Sequence, residues 1–192
     1  ITLENDIMLM FDEVQTGFGI TGKFWAADHY IRPDIIAFGK KSQQCGIMVS
    51  DRVDEIEENC FNVSGRINST WGGNLIDMVR SKQIMDIMHD EKLVENSAKR
   101  GNYLLNRLYE IQSQFPELIS NARGLGLLCS FDFPTTELRD EFRKTAEKEK
   151  LLILGCGKKT IRFRPMLNIT DQELEEGLQV IEKVLRIMPS IK

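Results

Sequence analysis

Two short apolar runs constrain the fold more than any other feature of this chain. Residues 7–11 read IMLMF and residues 35–38 read IIAF, each unbroken and each followed by charge or glycine. Runs of four or five apolar residues without polar alternation suit buried parallel strands better than strands with one wet face. Residues 47–49 add a third short strand. Between the first two runs lies a glycine-rich turn, FDEVQTGFGITG at 11–22, followed by the aromatic stretch KFWAADHY.

Beyond these strands, residues 51–58 read as a brief polar helix and 59–70 as an irregular loop. From Asn74 a long helical region begins. Leu75, Met78, Val79, Ile84, Met85 and Met88 recur at helical spacing, and their expected place is the core. After a break at His89 and Asp90 the periodicity resumes with Leu93, Leu104, Leu105, Leu108 and Ile111, and Pro116 marks its end. After Gly124 the texture changes. Residues 125–131 read as a strand, 136–150 as a charged amphipathic helix, and 151–154 and 160–164 as two more strands. Thr170 and Glu173 form a capping box that opens a final helix running to about Met188. The fold class is α/β, divided at 1–115 and 116–192, the second part a small α+β domain.

Net charge is −4 and no cluster of Lys and Arg stands out, which argues against a nucleic-acid partner. No apolar run reaches the roughly 18 residues that suggest a membrane span. The four cysteines are far apart and include no C-x-x-C, so a metal site is not expected; they read as buried thiols in a reducing cytoplasm. The start, ITLENDIMLM, has no initiating Met and runs at once into a strand, as if the chain were entered midway.

Gly17, Gly19 and Gly22 match G-x-G-x-x-G, the spacing of a dinucleotide-binding loop. Such a loop must open a helix long enough to cross to the next parallel strand, within a unit of about 30 residues. Here the next strand starts 13 residues after Gly22. Asp12 and Glu13 just upstream would also repel a pyrophosphate. The glycines therefore read as a tight turn.

Asp12 has a different use. A carboxylate at the C-terminal end of a parallel strand faces the crevice where α/β sheets bind ligands. One strand later, at the matching end, stands Lys40 in FGKK. An acid and a lysine so placed suit pyridoxal phosphate, which needs a Schiff-base lysine and an acidic partner for its pyridinium nitrogen. At about 4 Å and an effective dielectric near 20, that acid and a pyridinium attract by about 4 kcal/mol before desolvation. Gly39, lacking a Cβ, would leave room near the ring. Arg162 and Arg164, two apart on a strand, share a face, so at least one is expected to have a specific partner.

FDEVQTGFGITGKFWA, PDIIAFGKK, RINSTWGGN and KTIRFRPML closely resemble, in this order, four motifs of the class III (fold-type I) PLP-dependent aminotransferases. The resemblance implies a large PLP-binding domain continuing to residue 115 and a small C-terminal domain after it. It implies Lys40 as the Schiff-base lysine, with Lys41 the weaker candidate, Asp12 as the pyridinium partner, and Gln15 on the cofactor's phenolic oxygen. Thr70 would reach the cofactor phosphate of a second subunit, making a homodimer, with Ser69 beside it and Asn68 near the substrate. Arg162 would pair with a glutamate or with a substrate carboxylate. FGKKSQQCGIM and RINSTWGGNLIDMVR are most similar to members that transfer the ε-amino group of lysine to 2-oxoglutarate, more than to those acting on 4-aminobutyrate or ornithine. An aminomutase and a non-catalytic remnant acting in assembly are the other readings.

The departures matter too. The family's glycine/serine phosphate loop, its ring-stacking aromatic residue, the glutamate partner of Arg162 and the arginine for lysine's α-carboxylate are not found in this sequence. The expectation is a C-terminal part of such an enzyme that by itself binds PLP poorly and is inactive.

Overall fold

The computed structural model describes residues 1–67, 70 and 72–188. The chain divides into two compact units: Ile1–Gly19 with Lys23–Lys92, and Ile20–Gly22 with Leu93–Lys192. The edge thus falls at Leu93, ahead of the sequence-based division at 115. The intervening helix packs by its Leu104, Leu108 and Ile111 into the core of the second unit.

The first unit holds a three-stranded sheet, β1 (Met10–Asp12), β2 (Ile35–Phe38) and β3 (Gly46–Val49), in the order β1-β2-β3. β1 and β2 are parallel, as their composition predicts, with Asp12 opposite Ala37; β3 runs antiparallel to β2. The expectation of burial fails for β1. Met10 and Asp12 are exposed and β2 is half-buried throughout. Side-chain packing on the sheet centres on Phe38, which meets Phe18 and Trp25, and these in turn meet Phe24.

Helix α1 (Leu75–Asp90) starts at Asn74, whose side chain accepts from the Ile76 amide at 3.0 Å. It corrects a second expectation. Met88 is buried, but Leu75 is 76% and Val79 72% exposed, and Met78 and Met85 are also exposed. The apolar residues run around the helix instead of forming one stripe, so a single packed face leaves most of them outside. The polar helix read at 51–58 is a 3₁₀ turn over Asp51–Glu55.

The second unit begins with α2 (Leu93–Gln114). An antiparallel sheet comes next, built from β4 (Ser120–Leu125), β5 (Leu128–Asp132), β6 (Leu154–Cys156) and β7 (Thr160–Phe163) in the order β4-β5-β7-β6. α3 (Thr136–Lys148) and α4 (Asp171–Ile187) complete it. The core joins Leu104, Leu108 and Ile111 of α2 to Phe131, Phe142 and Ile161 and to Leu178 and Val184 of α4. Each such side chain contributes about 1.5–3 kcal/mol on full burial. The capping box is present: the Thr170 hydroxyl accepts from the Glu173 amide, and the Glu173 carboxylate accepts from the Thr170 amide at 2.8 Å. The single strand read at 125–131 is in fact a hairpin, β4 and β5 turning at Gly126. β4 escapes a pattern search because only Ala122 of its six residues is buried, and Asn121 is left-handed at an irregularity in the register.

Candidate active site

The ends of β1 and β2 carry the candidate chemistry in the first unit. The two parallel strands finish at the same edge of the sheet, about 4.8 Å apart. The ladder continues one step past β1, the Glu13 amide donating to the Ala37 carbonyl at 2.8 Å. Asp12 is exposed, and its Oδ1 accepts from the Val14 amide at 3.0 Å. Lys40 stands three residues beyond Ala37, the residue opposite Asp12. The acid and the amine therefore lie at matching strand ends.

Lys40 has φ +55°, the left-handed region. For a residue with a Cβ that costs roughly 1–2 kcal/mol. A tight turn holds it there: its carbonyl accepts from the Gln43 amide at 2.9 Å and from Gln43 Nε2 at 3.1 Å. Strained backbone of this kind clusters at functional positions. The Lys40 side chain is exposed, and its amine has no hydrogen bond or ion pair among the described residues. Lys41 differs. Its Nζ donates to the carbonyls of Gln15 at 2.7 Å and Gly17 at 2.8 Å. Among the described residues, the Lys41 ammonium is thus tied to the turn while that of Lys40 is not.

Room near the ring at Gly39 is not what its missing Cβ provides. A Cβ there would lie 2.9 Å from Cys45 Sγ, so the cysteine fills that space. Beside Asp12 a cleft of about 320 Å³ is lined also by Phe11, Glu13, Thr16, Ala26 and Tyr30. Lys40 does not line it. Thr70 is exposed, and Asn68 and Ser69 lie outside the described residues.

Sequence reasoning missed Glu13, which it grouped with Asp12. Glu13 is 1% exposed and fully engaged. Oε2 accepts from Thr16 Oγ1 at 2.7 Å and from the Ala26 amide at 3.0 Å, and Oε1 from the Ala27 amide at 2.6 Å. It anchors the short 3₁₀ segment Ala26–His29 behind the turn. Strand alternation is the signal that separates the two acids, since neighbours point to opposite faces. The glycines do form a turn: Gly19 and Gly22 are left-handed, and the chain runs on from them into this four-residue segment, not into a crossover helix.

In the second unit, Arg162 of β7 lies between Ser130 and Leu154 in register. It lines a cavity of about 280 Å³ with Arg164, Glu173 and apolar residues such as Leu152, Phe163 and Leu174. Its Nε is buried without a hydrogen-bond partner among the described residues. Glu173 does not serve it. That carboxylate accepts from the amide and the hydroxyl of Thr170, which hold its pKa below the usual range. Arg164, exposed just past the strand, has a partner of its own.

The chain is a member of the class-III aminotransferase family, whose sequence pattern matches residues 1–185. It is 44% identical over 186 residues to the L-lysine-epsilon aminotransferase of Mycobacterium tuberculosis, which covers 96% of this chain and 41% of that protein. The enzyme of the same name from Streptomyces clavuligerus is 42% identical over 180 residues, covering 93% and 39%. The mitochondrial 4-aminobutyrate aminotransferase of Sus scrofa is 34% identical over 188 residues, covering 96% and 36%. Among solved structures, the lysine aminotransferase from M. tuberculosis in the internal aldimine form superposes with a TM-score of 0.93 at 43% identity, covering 97% of this chain and 43% of that one. The ornithine δ-aminotransferase of Plasmodium falciparum gives 0.85 at 28% identity, covering 96% and 47%. The fold is thus the fold-type-I architecture of PLP-dependent transferases. The chain spans about two fifths of the length of these curated relatives.

Proposed function

We propose that the intact protein carrying this sequence is an ω-aminotransferase that moves the ε-amino group of lysine to 2-oxoglutarate. The products are the 6-semialdehyde, which can cyclise, and glutamate. The observation that carries this reading is the placement of Asp12 and Lys40 at matching ends of two parallel strands. The donor follows from the higher identity to enzymes named for lysine (44%) than to one named for 4-aminobutyrate (34%).

The residues present fit pyridoxal phosphate. Lys40 has an uncommitted amine, and Asp12 keeps an exposed carboxylate one strand away. When bound, the cofactor supplies an electron sink for the bond-breaking step at the amine-bearing carbon. Lys40 would hold it by its amine, and that amine, when free, would serve as general base and acid for the substrate proton. Asp12 would favour the protonated ring nitrogen by its charge. Gln15 would donate to the phenolic oxygen, Thr70 and Ser69 would serve the phosphate, and Asn68 would meet the substrate. Arg162 takes the α-carboxylate of glutamate or 2-oxoglutarate, a planar bidentate match. A lysine donor leaves it to a glutamate.

A homodimer goes with this reading, Thr70 reaching the partner's cofactor; the exposed apolar residues of α1 support a covering surface. Among the described residues no helix is long and apolar enough to cross a membrane. A cytoplasmic setting suits the free cysteines.

The test is to assay the intact protein with lysine, ornithine and 4-aminobutyrate side by side, with 2-oxoglutarate as acceptor. Lysine is expected to give glutamate with the highest kcat/KM. No glutamate from lysine removes the substrate assignment. Added pyridoxal phosphate is expected to give a visible absorption band that Lys40→Ala abolishes; a band that survives removes Lys40.

A further inference from the structure

We infer that Lys41 is a positioning residue that fixes the cofactor-holding amine against the acid on the neighbouring strand. The inference rests on the function proposed above and assigns Lys41 a role separate from that of Lys40.

Three observations carry it. First, the Lys41 ammonium is half-buried and donates to two carbonyls, Gln15 and Gly17, on the turn that leaves β1. That turn comes directly after Asp12 and contains Gln15. Second, Lys41 adjoins Lys40, whose backbone is left-handed and therefore strained. A strained residue keeps its conformation only while its flanks are held. On the far side the Gln43 turn grips the Lys40 carbonyl, and buried Ser42 donates to the Gln44 carbonyl at 2.6 Å. On the other side Gly39 is wedged against Cys45. Third, within the turn the Gly17 amide bonds to the Glu13 carbonyl, so its backbone is already closed on itself. Lys41 joins this closed turn to the β2 end.

The physical consequence is a strut. Charge-assisted hydrogen bonds are shorter and stronger than neutral ones, and two from one ammonium fix a distance as well as a direction. Through it, the segment carrying Asp12 and Gln15 and the segment carrying Lys40 hold one separation. A methionine at 41 keeps the aliphatic stem but leaves both carbonyls without this donor. An arginine keeps the charge and can reach both oxygens with its fork, though at a different spacing.

The experiment uses the intact protein and pyridoxal phosphate as probe. For Lys41→Met, the cofactor dissociation constant is expected to rise about tenfold, the equivalent of one lost charged hydrogen bond. The induced circular dichroism per bound cofactor should fall, because the ring is held less rigidly. Lys41→Arg should restore most of both. A Lys41→Met protein with wild-type affinity and wild-type induced dichroism overturns the inference, whatever its thermal stability. If that variant does not fold, Lys41→Gln replaces it. Its shorter, uncharged amide should give an intermediate affinity, and wild-type values again overturn the inference. Lys40→Ala, run in parallel, separates the two assignments. If it leaves the absorption band intact, the function proposed for Lys40 fails; if it abolishes the band while Lys41→Met matches wild type, only the role of Lys41 fails.

Discussion

Gly101 of α2 and Gly126 of the β4–β5 turn touch backbone to backbone. A Cβ on Gly101 would stand 2.0 Å from the Gly126 carbonyl carbon. No rotamer relieves that clash, because the neighbour is main chain. Gly126 is itself left-handed and in close contact with the backbone of Thr21. Gly101→Ala therefore forces α2 away from the hairpin it packs on. Overpacking of this kind costs about 3 kcal/mol. Urea unfolding should show stability reduced by that amount, and a midpoint within error of wild type would refute the contact.

Asp132 gives a pH dependence with a definite sign. Burial pushes its carboxyl up. Hydrogen bonds from Thr160 at 2.6 Å, Asn121 at 2.8 Å and Arg123 at 3.2 Å, with the charge of Arg123, together outweigh burial and hold it below the usual range. A folded-state pKa below the unfolded one means stability that is present above the ordinary aspartate range near pH 4 and lost as pH falls through it. Asp132→Asn removes that contribution, about 1–2 kcal/mol at neutral pH. The gap between wild type and variant should narrow below pH 4; a gap that stays constant down to pH 2.5 would contradict the assignment.

How much of the fold and site is legible in the sequence depends on which physical signal each element sends. β2 and α2 announce themselves, one by an unbroken apolar run and the other by a stripe at helical spacing. The Asp12–Lys40 placement is legible for the same reason: strand ends follow from strands, and ligands sit at the C-terminal ends of parallel ones. β4 is not legible, because an edge strand with one buried residue has no apolar run to detect. The spacing of α1 reads correctly as a helix but wrongly as core. Periodicity reveals an apolar side chain's direction, not what covers it. Glu13 is hidden because two adjacent carboxylates look alike until alternation sends one inward.

Glu13→Gln tests that inward carboxylate. Its two oxygens accept from two backbone amides and one hydroxyl. Glutamine is nearly the same shape but brings an NH₂ where an acceptor is required, so one amide of the Ala26–Ala27 pair or the Thr16 hydroxyl is left facing a donor. An unsatisfied buried donor costs about 1–3 kcal/mol. The loss should appear as a lower Tm with the Trp25 fluorescence altered, since the 3₁₀ segment begins beside that ring. Unchanged Tm and emission would show that the carboxylate is not needed there.

Arg162 should divide the two half-reactions. If its buried, unpaired Nε and the adjoining cavity receive a substrate carboxylate, Arg162→Lys loses the bidentate geometry while keeping the charge. The half-reaction with 2-oxoglutarate or glutamate should then weaken about 30- to 100-fold in kcat/KM, equivalent to about 2–3 kcal/mol. The half-reaction with lysine should change far less, because an ω-amino donor brings no carboxylate to that arginine. Following each half separately in a stopped-flow spectrometer makes the comparison direct. Equal losses in both halves would mean that Arg162 supports the strand and not the acceptor.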